Sequence, residues 1–206
     1  MRIGLDFDNT IIRYDDIFRQ AAKERGLLDA NFCGTKQQVR DTIRCLTDGE
    51  LKWQALQGYV YGRGIANAEV FKGVPNFLRR ARKDGHTILI VSHKTEYGHF
   101  DRQRINLRSA ALGWMEARGF FSDCGLSIVR DNVYFASTRA EKLNYISNLN
   151  CDFFVDDLEE VLTDPAFPPT VQRILFSENA ANAEGLPYII CRDWTGVEEI
   201  IFRERR

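Results

Sequence analysis

The chain of 206 residues reads as an α/β sandwich on a mostly parallel sheet, with a small all-helical segment inserted after the first strand. Three observations predict this. Short apolar runs recur as unbroken stretches instead of alternating with polar residues, the pattern of strands covered on both faces. Helical patterns separate most of these runs, as in chains that build parallel sheets. Residues 13–71 break the alternation and carry helical patterns alone.

Taken in order, the first run is Ile3-Gly4-Leu5, followed at once by Asp6-Phe7-Asp8-Asn9-Thr10. Within 13–71 the patterns predict helices over 15–25, 35–46 and 48–61, with Gly34, Asp48-Gly49 and Gly62/Gly64 between and after them. A helix over 74–83 has Pro75 at its start and Asp84-Gly85 at its stop. Thr87 to Val91 (TILIV) reads as a strand, and 106–118 as a helix with Leu107, Ala111, Trp114 and Met115 on one face. Asn132 to Phe135 is the next strand, and the helix over 138–148 opens on a Thr138-x-x-Glu141 capping box. Asp152 to Val155, Arg173 to Phe176 and Pro187 to Cys191 complete the strands. The core is therefore expected over 1–12 and 72–206, and the helical segment over 13–71.

Composition narrows the class. With 44% hydrophobic and 28% charged residues the chain is globular, not disordered. Lys and Arg number 28 against 29 Asp and Glu, a balance that excludes a polybasic nucleic-acid binder or an acidic tail. The five cysteines show no paired spacing, so neither a zinc site nor a disulfide framework is expected; reduced thiols point to a cytoplasmic protein. The opening MRIGLDFDNT carries acids where a signal peptide needs an apolar run. No segment approaches the ~18 apolar residues of a membrane span.

In an open α/β sheet, ligands bind beyond the carboxyl ends of the strands. After the first strand stand Asp6 and Asp8; after TILIV stand Ser92, His93 and Lys94; after FFV stand Asp156 and Asp157. Lys142 lies on the helix before that last strand. Asp6 by side chain and Asp8 by backbone carbonyl can serve one metal, and a carboxylate from Asp156 or Asp157 completes a hard-oxygen site suited to Mg²⁺. An aspartate can attack phosphorus and form an aspartyl-phosphate. Lys142 and Ser92 would hold phosphoryl oxygens, and Asp8 is placed to protonate the leaving group and then activate water. Asn9 and Thr10 on the first loop, and His93 and Lys94 on the second, are candidate substrate contacts.

The set Asp6-x-Asp8-x-Thr10, Ser92, Lys142 and Asp156-Asp157, each after its expected element, resembles the haloacid dehalogenase (HAD) superfamily of phosphotransferases. The resemblance implies a Rossmann-like three-layer sandwich with a small helical cap at 13–71. It also implies Asp6 as nucleophile, Asp8 as acid/base, Ser92 and Lys142 as phosphate binders, and Asp156/Asp157 as metal carboxylates, with Asp156 favoured as the direct ligand. The founding dehalogenases lack the second aspartate, so Asp8 argues for phosphate chemistry. Asn9 stands where that family usually has glycine. Receiver domains use similar groups in another order along the chain.

The expected function is a Mg²⁺-dependent phosphatase acting on a small phosphorylated metabolite, with no nucleic-acid polymer and no membrane as partner. A phosphomutase on the same site and a catalytically silent regulatory protein are the alternatives. Monomer and homodimer both stay open. Elsewhere, Tyr97 and His99 fall on the loop after TILIV, and His86 falls on the opposite rim as a structural residue. Lys36, Arg40 and Arg44 recur every four residues as a basic stripe, read as a solvated face. Trp53, Tyr59 and Tyr61 read as packing within the helical segment.

Overall fold

The structure is a computed structural model that describes residues 1–98, 104–181 and 184–203. The chain forms two compact units: Met1–Ile12, Val70–Lys94 and Gly119–Arg206 in one, and Arg13–Glu69 with Thr95–Arg118 in the other.

The first unit is built on a six-stranded sheet whose paired strands are all parallel. Its strands are β1 (Arg2–Leu5), β4 (Thr87–His93), β5 (Val133–Ala136), β6 (Phe153–Asp156), β7 (Gln172–Phe176) and β8 (Ile189–Cys191). The order across the sheet is β5-β4-β1-β6-β7-β8. Ile3, Gly4 and Leu5 of β1 pair in register on both sides, with Leu5 opposite Ile90 and Val155, while β4 continues three residues further to His93 and β6 one further to Asp156. The expected strands form, each within a residue or two of its predicted ends.

Helices cover both faces, as the continuous apolar strands require. On one face Leu89 and Val91 of β4, Phe154 of β6 and Leu175 of β7 pack with Leu143 and Ile146 of α6 (Arg139–Asn148) and Val161 and Leu162 of α7 (Glu159–Leu162). On the other, Phe176 of β7 meets Trp194 of α8 (Trp194–Ile201), whose indole lies against Phe77 of α4 (Val74–Lys83). Burial of these aromatic rings supplies much of the driving force, since each removes a large apolar area from water. Gly4 makes one close approach possible: a Cβ there would stand 2.4 Å from the Phe154 ring. His86, on the rim opposite the strand ends, stacks on Phe202 with ring centroids 5.4 Å apart.

The second unit holds α1 (Asp15–Glu24), α2 (Lys36–Arg44), α3 (Gly49–Tyr61) and α5 (Leu107–Ala117). The three expected insertion helices form here. The fourth helix departs from the sequence expectation of a core running over 72–206: residues 95–118 pack in this unit, where Trp114 Nε1 and Arg118 donate to the Ala68 carbonyl at 3.0 and 2.6 Å. Two-residue strands, β2 (Ile12–Arg13) and β3 (Glu69–Val70), pair where the chain passes between units, a feature too short for periodicity to reveal.

Trp53 stacks on Phe18 at 5.0 Å and Tyr61 meets Phe18 and Tyr14 edge-on, so these aromatics form the unit's own core. Tyr59 differs, with the Arg25 guanidinium 3.8 Å above its ring. In the basic stripe Arg40 pairs with Asp41 at 2.9 Å and Arg44 with Glu50 at 2.6 Å, while Lys36 lies over Phe18 and Tyr61. Among the described residues no helix is long and apolar enough to cross a membrane.

Candidate active site

The site lies within the first unit, at the carboxyl ends of β1, β4 and β6. Asp6 directly follows β1, and its backbone N–H donates to the Val155 carbonyl at 2.8 Å, carrying the parallel ladder one residue further. The loop then turns tightly: Ile11 and Ile12 donate to the Phe7 carbonyl and Asn9 donates to that of Ile12. At Asn9 the turn passes through φ +58°, the left-handed region that asparagine tolerates better than most side chains.

Lys142 is the centre of charge. It sits on the inner face of α6, 1% exposed, and its Nζ donates to Asp6 Oδ1 and Asp156 Oδ2 at 2.6 Å each. The helix that carries it is capped by Thr138, whose hydroxyl accepts from the Glu141 N–H at 3.1 Å. The expected capping box closes differently from its usual form, because the Glu141 carboxylate takes the N–H of Ser137 instead of that of Thr138.

Burial raises the proton affinity of Asp6; Lys142 opposes this, while Asp156, Asp157 and Asp8 reinforce it, and the net position is well above the usual carboxylate range. For Lys142, burial disfavours the charge, but the fields of Asp156 and Asp6 and its hydrogen bonds to both prevail and hold it above the ordinary lysine value. The ammonium is thus a fixed positive charge at any physiological pH.

A second cation, Lys94, is also buried. Its Nζ lies 3.0 and 2.8 Å from the two carboxylate oxygens of Asp8. The Ser92 hydroxyl points at the same carboxylate, 3.5 Å from Oδ2. Asn9 Nδ2 donates to Asp157 Oδ2 at 3.2 Å. The fold therefore brings Asp6, Asp8, Asn9, Ser92, Lys94, Lys142, Asp156 and Asp157 into one connected set.

The two other candidate substrate contacts differ in exposure. Thr10 is wholly buried, its carbonyl held by Trp194 Nε1 at 3.0 Å and its hydroxyl without a hydrogen-bond partner among the described residues. His93 is exposed, with Nε2 3.2 Å from the Ser137 carbonyl. Tyr97 is an exposed residue of the second unit, and His99 lies outside the described residues. Trp194 anchors the loop through Thr10, a link that no local sequence pattern marks because the two positions lie so far apart.

One oxygen from each of Asp6, Asp156 and Asp157 lies within 4.8 Å of the others. Three hard carboxylate donors so close together fit a divalent cation such as Mg²⁺, which prefers oxygen ligands and retains several waters. Both oxygens of Asp156 already accept, one from Lys142 and one from the Leu158 N–H at 3.0 Å, and the residue is sealed from solvent, whereas Asp157 is half-buried.

No protein-family profile and no curated protein sequence matches the chain. Many solved structures do, and those described here are of one fold, that of the haloacid dehalogenase superfamily. A protein from Clostridium acetobutylicum described as a predicted phosphatase superposes with a TM-score of 0.61 at 12% identity, covering 98% of each chain. A haloacid dehalogenase-like hydrolase from Streptococcus pneumoniae gives 0.59 at 14% identity, again over 98% of both chains. A predicted phosphoglycolate phosphatase from Haemophilus somnus gives 0.54 at 13% identity, over 97% of this chain and 96% of that one. The chain has the haloacid dehalogenase-like fold. At these identities the likeness is one of architecture.

Proposed function

We propose that the protein is a Mg²⁺-dependent phosphatase that hydrolyses a small phosphomonoester through an aspartyl-phosphate on Asp6. The observation that carries this reading is the buried Asp6 carboxylate at the end of β1, gripped by Lys142 and grouped with Asp156 and Asp157. Asp6 attacks phosphorus, and the bond to the leaving oxygen breaks as Asp8 gives that oxygen a proton. Asp8 then takes a proton from water, which attacks the phosphorus of the acyl phosphate and restores Asp6.

Lys142, Ser92 and Lys94 are the chain's means of holding phosphoryl oxygens and balancing charge in the transition state. Asp6, the Asp8 carbonyl and Asp157 would hold the cation, with Asp156 kept behind them by Lys142 and the Leu158 N–H. When bound, the cation offsets repulsion between the acidic cluster and an anionic phosphate. The helical unit, formed by Arg13–Glu69 and Thr95–Arg118, is read as the cap that selects the leaving group, and the small size of both units favours a metabolite over a protein substrate.

The test is phosphate release from a panel of phosphorylated metabolites in Mg²⁺, in EDTA, and with Asp6→Asn. The expected result is metal-dependent release that the variant lowers by at least about a thousandfold. Near-normal activity of Asp6→Asn would remove the nucleophile assignment, and a phosphorylated product without free phosphate would replace hydrolysis by phosphoryl transfer.

A further inference from the structure

From its position we infer that Asn9 is a positioning residue for the metal site: its side-chain amide tethers Asp157 against the repulsion of the neighbouring carboxylates. The inference rests on the proposed reading of Asp6 and Asp157 as carboxylate ligands of a divalent cation. Three features support it. The backbone at Asn9 is left-handed, φ +58°, a conformation for which glycine is the least strained residue. A side chain at that position therefore brings a small conformational cost and no benefit to the turn itself. That side chain reaches across to a residue 148 positions away, donating to Asp157 Oδ2 at 3.2 Å.

The third feature is electrostatic. Asp157 stands among Asp6 and Asp156 with carboxylate oxygens within 4.8 Å, and the fields of Asp156, Asp157 and Asp8 each favour the protonated form of Asp6. Without a cation, like charge urges the half-buried Asp157 outward toward water. An N–H donor from the β1 loop holds it inward. Because the amide is neutral, it does so without reducing the negative charge that attracts the metal, as a lysine at the same place would. A ligand aimed in advance loses less freedom on binding, and such supporting hydrogen bonds are typically worth about 10- to 100-fold in metal affinity.

Two variants separate the amide from the backbone. Asn9→Gly keeps the left-handed turn and removes the tether; Asn9→Ala removes the tether and strains the turn. Titration of the purified, metal-free full chain with Mg²⁺ by calorimetry should show a Kd raised about tenfold or more in both variants. Thermal midpoints in EDTA should fall only for Asn9→Ala. Mg²⁺ affinity unchanged in Asn9→Gly, with the parent chain binding normally, would overturn the inference alone. Loss of affinity confined to Asn9→Ala would assign the effect to the backbone and overturn it too. A parent chain that binds no Mg²⁺ would overturn the inference together with the metal-site reading.

Discussion

Replacing Lys142 with methionine keeps the length of the side chain and removes its charge, which isolates the electrostatic role of the ammonium. In the native chain that charge lies 2.6 Å from both Asp6 and Asp156, in surroundings sealed from water. Breaking such a buried arrangement by deleting one partner costs about 3–5 kcal/mol, because the remaining carboxylates stay buried without compensation. For a chain of this size each kcal/mol moves the thermal midpoint by roughly 2–4 °C, so a drop on the order of 10 °C is expected near neutral pH.

The loss should depend on pH, with a definite sign. Burial, only partly opposed by Lys142, makes Asp6 hold its proton more tightly in the folded chain than in the unfolded one. Its contribution to stability is therefore greatest below the ordinary carboxylate range and is lost as pH rises through the raised folded value. Removing Lys142 takes away the main lowering influence and raises that value further. Lys142 itself is raised, so its stabilising charge is fully present below the ordinary lysine value and does not vary between pH 5 and 8. Measured by circular dichroism in EDTA, the deficit of Lys142→Met should be largest near about pH 8 and shrink toward about pH 5. A variant within about 1 kcal/mol of the parent at both pH values would refute the compensation argument.

Two further substitutions test how the scaffold holds the site. Thr138→Ala removes the N-cap of the helix that carries Lys142 and should cost about 1 kcal/mol in chemical denaturation; no loss would mean that the Glu141–Ser137 bond alone secures that end. Gly4→Ala places a methyl 2.4 Å from the Phe154 ring in the middle of the sheet and should destabilise by about 1–3 kcal/mol. Unchanged stability there would show that β1 and the Phe154 ring separate more easily than close packing implies.

Much of this molecule is legible from short stretches of chain. The unbroken apolar runs mark the sheet because a strand covered on both faces has no polar side to alternate. The Asp6–Thr10 loop, Ser92, Lys142 and the Asp156-Asp157 pair are readable because each follows or precedes a strand that an unbroken apolar run marks. The insertion helices are readable for the same reason, since amphipathic spacing and glycine stops act over a few residues.

What tertiary structure decided is which of these local pieces meet. Placing β1 between β4 and β6 turns Lys94 onto Asp8 across 86 residues and Asn9 onto Asp157 across 148. It leaves Asp157 more accessible than Asp156, both of whose oxygens already accept hydrogen bonds, while bringing both acids close to Asp6. It buries Thr10 and ties its carbonyl to the Trp194 indole, and it assigns α5 to the helical unit through bonds to the carbonyls of Ala66 and Ala68. Periodicity records which face of an element is apolar, but not the partner that face will find. Partner choice is settled by strand order and packing, when residues distant in sequence compete for the same buried charge or the same carbonyl.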